Sequence, residues 1–285
     1  MTTETIIKFY YDTDNFLAYI KRWHGEKVMI LLHGMWASHK SWHDFQHYFH
    51  EEEYTLYLID LKGYGYSSKP RDDKYSIADQ AEIITLFMEQ LNLKDVIVLW
   101  HSLWGGVGLY TYIMANRLHK DSRIAKVILI DTMAFKNELP LLYNLIANRF
   151  TMWFIYTFST ARFKAKYTLL RACRIWKEIW KEMIERYAYF LKGEDMKYVL
   201  TKTAQQLIRK DYDETIGAYK TIKVPVLIIR WEKDPILPAA HGRKLHEMIP
   251  HSSLVIIPRA WHVTHEEDTL ATYNAIDKRL DNQKQ

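Results

Sequence analysis

Short apolar runs recur along the chain and predict the strands of a sheet. Two early segments, residues 5–11 and 16–22, are rich in β-branched and aromatic residues and flank a DTDN turn, which predicts a hairpin. Runs that are almost wholly apolar are typical of strands buried on both faces, as in a parallel sheet. Six such runs follow the hairpin, at residues 28–32, 56–59, 96–99, 127–130, 226–229 and 254–257.

Helical patterns separate these runs and predict an α/β fold. Residues 76–91 begin with Ser76 and Asp79 in capping-box spacing and carry apolar side chains on one side. From 136 to 215 only helical patterns occur, so we expect an inserted helical cap over the C-terminal edge of the sheet. The predicted core is a mostly parallel sheet of about eight strands flanked by helices, formed by residues 1–135 and 216–285.

Charge is concentrated in the predicted cap. The chain has a net charge of +5, but residues 136–210 alone hold 15 Lys and Arg against 6 Asp and Glu. Apolar residues at helical spacing dominate this segment, so we expect no nucleic-acid partner. Its basic charge suggests instead an anionic substrate or an anionic membrane surface.

Composition excludes several classes of protein. With 48% hydrophobic and 26% charged residues, the chain is neither disordered nor fibrous. One cysteine, Cys173, excludes an internal disulfide framework and a multi-cysteine metal site, and we expect an inert, packed thiol. The first residues, MTTETIIKFYYDTD, contain no basic segment that leads into an apolar one. We therefore expect no signal peptide and a cytoplasmic protein, with peripheral membrane contact through the cap as an open alternative.

Candidate catalytic residues follow the predicted strands. Ser102 stands between the strand at 96–99 and a helical stretch, which is the arrangement of a nucleophile elbow. The strand at 28–32 leads into His33, Gly34 and Met35, where a backbone N–H could help to form an oxyanion hole. Asp234 and His262 each follow a later strand. Asp131, after the strand at 127–130, is a reserve candidate for the catalytic acid.

These segments resemble the α/β-hydrolase superfamily, in particular its capped branch of esterases, lipases and C–C hydrolases. The resemblance implies that Ser102 is the nucleophile, His262 the base and Asp234 the acid that orients the base, with the amides of Met35 and Leu103 as the oxyanion hole. It also implies that no metal or organic cofactor takes part. Five motifs carry it, in the family's order: LLHGMWASHKSW, DLKGYGYSS, WHSLWGG, VPVLIIRWEKDPILP and RAWHVTHEE.

The function that this resemblance implies is hydrolysis of an ester or related acyl bond of an apolar substrate through an acyl-enzyme. A serine hydroxyl needs an imidazole to take its proton, and the imidazole needs a carboxylate to fix its tautomer. Two alternatives stay open. One is a non-catalytic binding protein on the same fold, and the other is acyl transfer or cofactor-free peroxidation with the same residues.

Five tryptophans stand where the family tends to have glycine. Glycine occurs 10 times, against roughly 20 at average usage, and tryptophan also occurs 10 times. Three explanations compete. The tryptophans are genuine and distort the elbow, they are engineered, or glycine codons of the form UGA have been read as tryptophan. The positions favour the third hypothesis, which UGA codons at these sites, with UGG at Trp42, would support. The five positions are Trp36, Trp100, Trp104, Trp231 and Trp261.

Overall fold

An eight-stranded sheet forms the centre of the fold. The computed structural model describes residues 4–118, 122–135, 141–173, 181–207, 212–258 and 261–280. In chain order the strands are β1 Ile7–Tyr10, β2 Phe16–Arg22, β3 Lys27–Leu32, β4 Tyr54–Asp60, β5 Val96–His101, β6 Ile124–Ile130, β7 Val226–Trp231 and β8 Ser252–Ile257. Across the sheet they lie in the order β1-β2-β4-β3-β5-β6-β7-β8.

The pairing of the strands confirms the predicted α/β fold with a mostly parallel sheet. Strand β2 pairs antiparallel with β1 and with β4, whereas every other neighbouring pair is parallel. The observed strands extend the predicted runs by a few residues. For example, β4 begins at Tyr54 rather than at residue 56, because Tyr54 and Thr55 are buried and pair with the start of β3.

Helices connect the parallel strands. The predicted helix at 76–91 is confirmed as α1, Ile77–Gln90, and its first turn forms the expected capping box between Ser76 and Asp79. Helix α2, Gly105–Arg117, follows β5 after a short 3₁₀ turn, Ser102–Trp104. Towards the end of the chain α9 Ala239–Met248 lies between β7 and β8, and α10 Thr264–Glu267 and α11 Thr269–Leu280 follow β8.

Among the described residues, six α-helices lie between β6 and β7, in the segment for which the sequence predicts a cap. They are α3 Leu141–Ala147, α4 Arg149–Phe158, α5 Ala161–Ala172, α6 Lys181–Phe190, α7 Gly193–Gln206 and α8 Tyr212–Gly217. The boundaries of a separate cap stay a prediction, since residues 136–140, 174–180 and 208–211 lie outside the described residues. No helix in the described ranges is both long and apolar enough to cross a bilayer.

Polar and apolar contacts attach these helices to the core. The Tyr64 hydroxyl donates to Thr203 Oγ1 on α7 at 3.1 Å, and the Tyr75 amide donates to the Gln206 side chain at 2.8 Å. Cys173, at the end of α5, is buried among apolar residues, and burial raises the pKa of its thiol. A buried, protonated thiol is a poor nucleophile, which agrees with the expected packing role.

Candidate active site

Ser102 lies on a sharp turn at the carboxyl end of β5. Its backbone adopts a left-handed conformation with φ of 60°, an unusual one for a residue with a Cβ atom. The chain goes straight from the strand through a 3₁₀ turn, Ser102–Trp104, into α2. Gly34 allows the loop after β3 to approach this turn, since a Cβ atom there would lie 2.9 Å from Ser102 Cβ. The turn therefore holds the serine hydroxyl at the edge of the sheet where the parallel strands end.

A chain of hydrogen bonds joins Ser102 to two residues that are distant in sequence. The Ser102 hydroxyl lies 2.7 Å from His262 Nε2, and His262 Nδ1 lies 2.8 Å from Asp234 Oδ2. Since a carboxylate only accepts, Nδ1 donates to Asp234 and Nε2 is left to accept from the serine. The three side chains follow β5, β8 and β7, and all three are buried. The structure thus brings together the three residues that the sequence proposes as nucleophile, base and acid.

The Asp234 carboxylate is held in its ionised form. Burial by itself would raise its pKa, but the electrostatic interaction and hydrogen bond with His262 and the amide of Ile236 lower it overall. The Ile236 amide donates to Asp234 Oδ1 at 2.7 Å, which leaves Oδ2 for the imidazole. An ionised carboxylate in this place stabilises the imidazolium that forms when His262 takes a proton.

The reserve acid, Asp131, lies beside Asp234 but does not replace it. Burial raises the pKa of the Asp131 carboxyl well above its usual range, and the neighbouring charge of Asp234 raises it further. Asp131 Oδ1 accepts from the Trp231 amide at 3.2 Å, and its backbone also has a positive φ of 43°. The buried Arg230 guanidinium, 4.0 Å from Asp131 Oδ1, opposes this rise in pKa only in part. The two neighbouring carboxyls therefore have pKa values shifted in opposite directions.

Two further histidines pack behind His262 and are uncharged. His101 Nε2 donates to the carbonyl oxygen of His262 at 2.9 Å and so fixes the backbone of that residue. The His265 ring lies 4.2 Å from the His101 ring, centroid to centroid, and burial lowers the pKa of His265 to about 3. Burial likewise lowers the pKa of His101, with the neighbouring His265 as a second cause. Neutral rings here place no positive charge next to the imidazolium that His262 would form.

The two proposed oxyanion donors come from the turn that contains Ser102 and from the loop after β3. Leu103 is the second residue of the 3₁₀ turn, and the carbonyl of Ser102 before it accepts from the Met133 amide at 3.1 Å. Met35 follows Gly34 and lines the cavity that contains Ser102. Their assignment as an oxyanion hole stays a prediction.

A cavity of about 100 Å³ opens above Ser102 and His262. Its floor comes from the loops of the sheet, including Met35 and Pro235. Its roof comes from α5 and α6 and includes Tyr167, Leu169, Arg171 and Tyr187, none of which the sequence identifies as site residues. No local pattern marks them, because their position depends on how the helices between β6 and β7 dock on the core.

Three of the five unusual tryptophans are completely buried around the site. Trp100 and Trp104 flank the serine turn and Trp231 ends β7, and all three have 0% of their surface exposed. Within the described part of the chain their indole N–H groups have no hydrogen-bond partner. Trp36, which is partly buried, has a left-handed backbone with φ of 72°. The hydrogen bond between Ser102 and His262 nevertheless has an ordinary length.

One acidic cluster has the composition of a metal site. Possible ligand atoms of Asp131, Asp234 and His262 lie within 4.8 Å of one another. Both ring nitrogens of His262, however, are hydrogen-bonded to protein groups, and a metal ion would have to displace Ser102 or Asp234. The donor set fits a proton relay better than a cation site.

The fold and this constellation define a hydrolase of the α/β fold. A sequence profile described as the alpha/beta hydrolase fold matches residues 27–269, and the chain belongs to this family. It is similar to the uncharacterized hydrolase YugF of Bacillus subtilis (strain 168), with 23% identity over 253 residues that cover 85% of this chain and 86% of the relative.

Solved structures show the same architecture. A thermophilic esterase from Thermogutta terrifontis superposes with a TM-score of 0.77 at 21% identity, covering 98% of both chains. A bromoperoxidase from Bacillus anthracis gives 0.77 at 19% identity, covering 97% of this chain and 99% of its own. At these identities the likeness concerns the fold, so the reaction has to be argued from the site.

Proposed function

We propose that this protein is a serine hydrolase that cleaves an ester or related acyl bond of an apolar substrate through an acyl-enzyme. The observation that carries the proposal is the unbroken hydrogen-bond chain from Ser102 through His262 to Asp234, at 2.7 and 2.8 Å. The left-handed turn at Ser102 supports it, because backbone strain of this kind is often found where a structure holds a reactive group in place.

In the first half of the proposed reaction the substrate acyl group moves to Ser102. His262 Nε2 takes the hydroxyl proton while Ser102 Oγ attacks the carbonyl carbon. The negative charge that develops on the carbonyl oxygen is stabilised by the amides of Met35 and Leu103, and one such donor is typically worth about 2.7–4 kcal/mol. The C–O bond to the alcohol then breaks, and the imidazolium gives its proton to the leaving oxygen.

In the second half, water releases the acyl group. His262 takes a proton from the water, whose oxygen attacks the acyl carbon and regenerates the tetrahedral oxyanion. When this intermediate collapses, the proton returns to Ser102 Oγ and a carboxylic acid leaves. Asp234 stays ionised throughout and stabilises the imidazolium in both halves, which agrees with its lowered pKa.

The cavity indicates the class of substrate. Its lining combines apolar side chains, such as Met35 and Leu169, with the Tyr167 ring and one cation, Arg171. A cavity of about 100 Å³ fits a short acyl or aryl group rather than a long chain. We therefore expect esters of small apolar acids to be the better substrates.

Hydrolysis of p-nitrophenyl butyrate by the purified chain tests the proposal. Ser102→Ala should lower kcat by a factor on the order of 10⁴–10⁶, as expected when the nucleophile of such a triad is removed. It should also abolish labelling by a fluorophosphonate probe. Ser122→Ala is a matched control, because Ser122 lies two residues before β6, at the opposite end of that strand from the site, and should leave both readouts unchanged.

Two results would contradict the proposal. One is equal turnover by the parent chain and the Ser102→Ala variant. The other is a folded parent chain that neither turns over the ester nor reacts with the probe, which would favour a non-catalytic binding protein on this fold.

A further inference from the structure

Helix α4 exposes a continuous aromatic face. Its outward side chains Phe150, Trp153, Phe154 and Phe158 are between 54% and 85% exposed, and their spacing places them on one side of the helix. Met152, on the opposite side, is buried. The helix is therefore anchored by one face while its outer face presents four large apolar rings. A contiguous patch of this kind marks an interaction surface.

Helix α5, which follows α4 after two residues, also exposes aromatic side chains and adds positive charge. Phe163 and Tyr167, one turn apart, are 62% and 48% exposed. Each of these rings is preceded in the chain by an exposed basic residue, Arg162 before Phe163 and Lys166 before Tyr167. We call the outward side chains of both helices the α4–α5 face. Rows of aromatic and basic side chains are typical of helices that lie at a membrane surface.

The charges of the α4–α5 face are only partly neutralised by the protein. Arg162 pairs with Glu185 at 2.7 Å, and both side chains are exposed. Among the described residues, Arg149 and Lys166 have no carboxylate within ion-pair distance. Between Arg149 and Arg162 the sequence has no charged residue at all. The face thus has an uncharged aromatic centre with basic residues at its edges.

This arrangement favours an anionic lipid surface over other partners. A second copy of the chain would bring two basic faces together, which like-charge repulsion opposes. A nucleic acid would meet four neighbouring rings on α4 with no cation between them, an arrangement unlike the usual positively charged groove with stacking rings. In a bilayer interface the rings would lie among the acyl chains and the basic groups would contact headgroup phosphates.

The geometry also sets the mode of contact. Helix α4 has ten residues and is therefore about 15 Å long, roughly half the thickness of a hydrocarbon core. It can lie in the interface but cannot cross the bilayer. Tyr167 and Arg171, at the end of the α4–α5 face, also line the cavity above Ser102. A molecule that leaves the lipid surface at this face would have a short path to the site.

We propose that the α4–α5 face docks the protein on the surface of an anionic bilayer, with α4 in the interface plane and the cavity mouth beside the lipid. The proposal does not depend on the hydrolase function, because binding is measured without turnover. Ser102→Ala should bind vesicles as the parent chain does.

Vesicle flotation tests the docking directly. The full chain is mixed with unilamellar vesicles of phosphatidylcholine alone or with 30% phosphatidylglycerol, in 0.1 M NaCl. Binding to the anionic vesicles should exceed binding to the neutral ones by a factor of about ten or more, and should weaken as salt is raised. Phe150→Ser combined with Phe154→Ser should lower binding to anionic vesicles at least tenfold. Arg149→Glu combined with Lys166→Glu should remove the preference for phosphatidylglycerol.

Matched controls keep the test specific. Leu118→Ser combined with Leu270→Ser removes two apolar side chains that are 58% and 52% exposed. They lie at the end of α2 and on α11, outside the helices between β6 and β7, so this variant should leave binding unchanged. Thermal unfolding confirms that each variant is folded. The proposal is overturned if the phenylalanine pair and the leucine pair behave alike, or if both vesicle types bind equally. It is also overturned if the parent chain does not bind vesicles but self-associates or binds nucleic acid, and the α4–α5 variants abolish that binding.

Discussion

Two buried carboxyls lie behind His262, and their environments shift their pKa values in opposite directions. Asp234 contacts the imidazole and has a lowered pKa, whereas burial and the charge of Asp234 raise the pKa of Asp131. A neutral carboxyl can be replaced by an amide of similar shape at small cost, but an ionised one cannot. We therefore expect the two carboxyls to respond differently to amide substitution.

Substitution of each carboxyl by its amide tests this difference. Asp234→Asn should lower kcat by a factor on the order of 10³–10⁴, because the amide favours the wrong imidazole tautomer. Asp131→Asn should lower kcat by no more than roughly threefold, since His262 Nδ1 donates its hydrogen bond to Asp234. Ester hydrolysis at pH 8 measures both. If the Asp131 change caused the larger loss, the proposed assignment of Asp234 as the orienting acid would be wrong.

The backbone at Trp36 tests the origin of the unusual tryptophans. A left-handed conformation costs a residue with a Cβ roughly 1–2 kcal/mol, a cost that glycine avoids. Trp36→Gly and Trp36→Ala both remove the indole, but only glycine relieves the strain. We expect the glycine variant to be more stable than the alanine variant by about 1 kcal/mol in urea unfolding. Equal stability of the two variants would remove this support for a misread glycine codon.

At the scale of elements, a buried charged cluster joins α6 to α10. Glu266 on α10 accepts from the Tyr187 hydroxyl at 2.6 Å and pairs with Arg186 at 3.2 Å, and its side chain is 3% exposed. Burial raises the pKa of Glu266 to about 7, and Arg186 opposes this only in part. Tyr187 also lines the cavity, so this cluster links the roof of the site to the core.

The raised pKa of Glu266 gives a pH dependence of stability. A carboxyl whose pKa is near 4.5 unfolded and about 7 folded contributes stability fully below pH 4.5 and loses it as the pH rises through 7. Glu266→Gln cannot ionise, so its stability should rise relative to the parent chain between pH 5 and pH 8, by up to about 3 kcal/mol. Urea unfolding of both proteins at the two pH values measures this. A constant difference between them would contradict the assignment.

Local patterns in the sequence predict the strands and the loops that follow them, whereas contacts between distant segments leave no such pattern. The strands and the residues that follow them are local: an apolar run ends, and Ser102, Asp234 or His262 stands in the next loop. Parallel strands bring those loops to one edge, so the proximity of these residues follows from the order of the strands, whereas their proposed roles rest on the resemblance to the α/β-hydrolase superfamily. The Glu266 contact with Arg186 joins residues 80 apart and depends on docking, which no local pattern contains. The cavity roof escapes prediction for the same reason.

At the scale of the whole molecule, charge is divided unevenly between two parts of the chain. Residues 136–210 have an excess of nine positive charges, whereas the remainder has a small negative excess. Arg171 brings part of this positive charge to the cavity above Ser102. An anionic substrate would therefore be attracted towards the cavity, and added salt would screen that attraction.

Salt dependence of the specificity constant measures this effect. For a p-nitrophenyl ester with a carboxylate on its acyl chain, kcat/KM should fall several-fold between 0.01 and 0.5 M NaCl. For the uncharged butyrate ester it should stay nearly constant, because only charged partners are steered. Arg171→Gln should reduce the difference between the two esters. If both esters respond to salt alike, the positive charge does not act on the substrate.

The position of the helices between β6 and β7 also fixes the order in which the site is made during translation. Ser102 precedes these helices in the chain, whereas Asp234 and His262 follow them. Because synthesis proceeds from the N-terminus, the ribosome has already produced the roof of the cavity when Asp234 and then His262 emerge. The hydrogen-bond chain at Ser102 therefore cannot form in a nascent chain until residue 262 has been made, and it then forms beneath a roof that has already been synthesised.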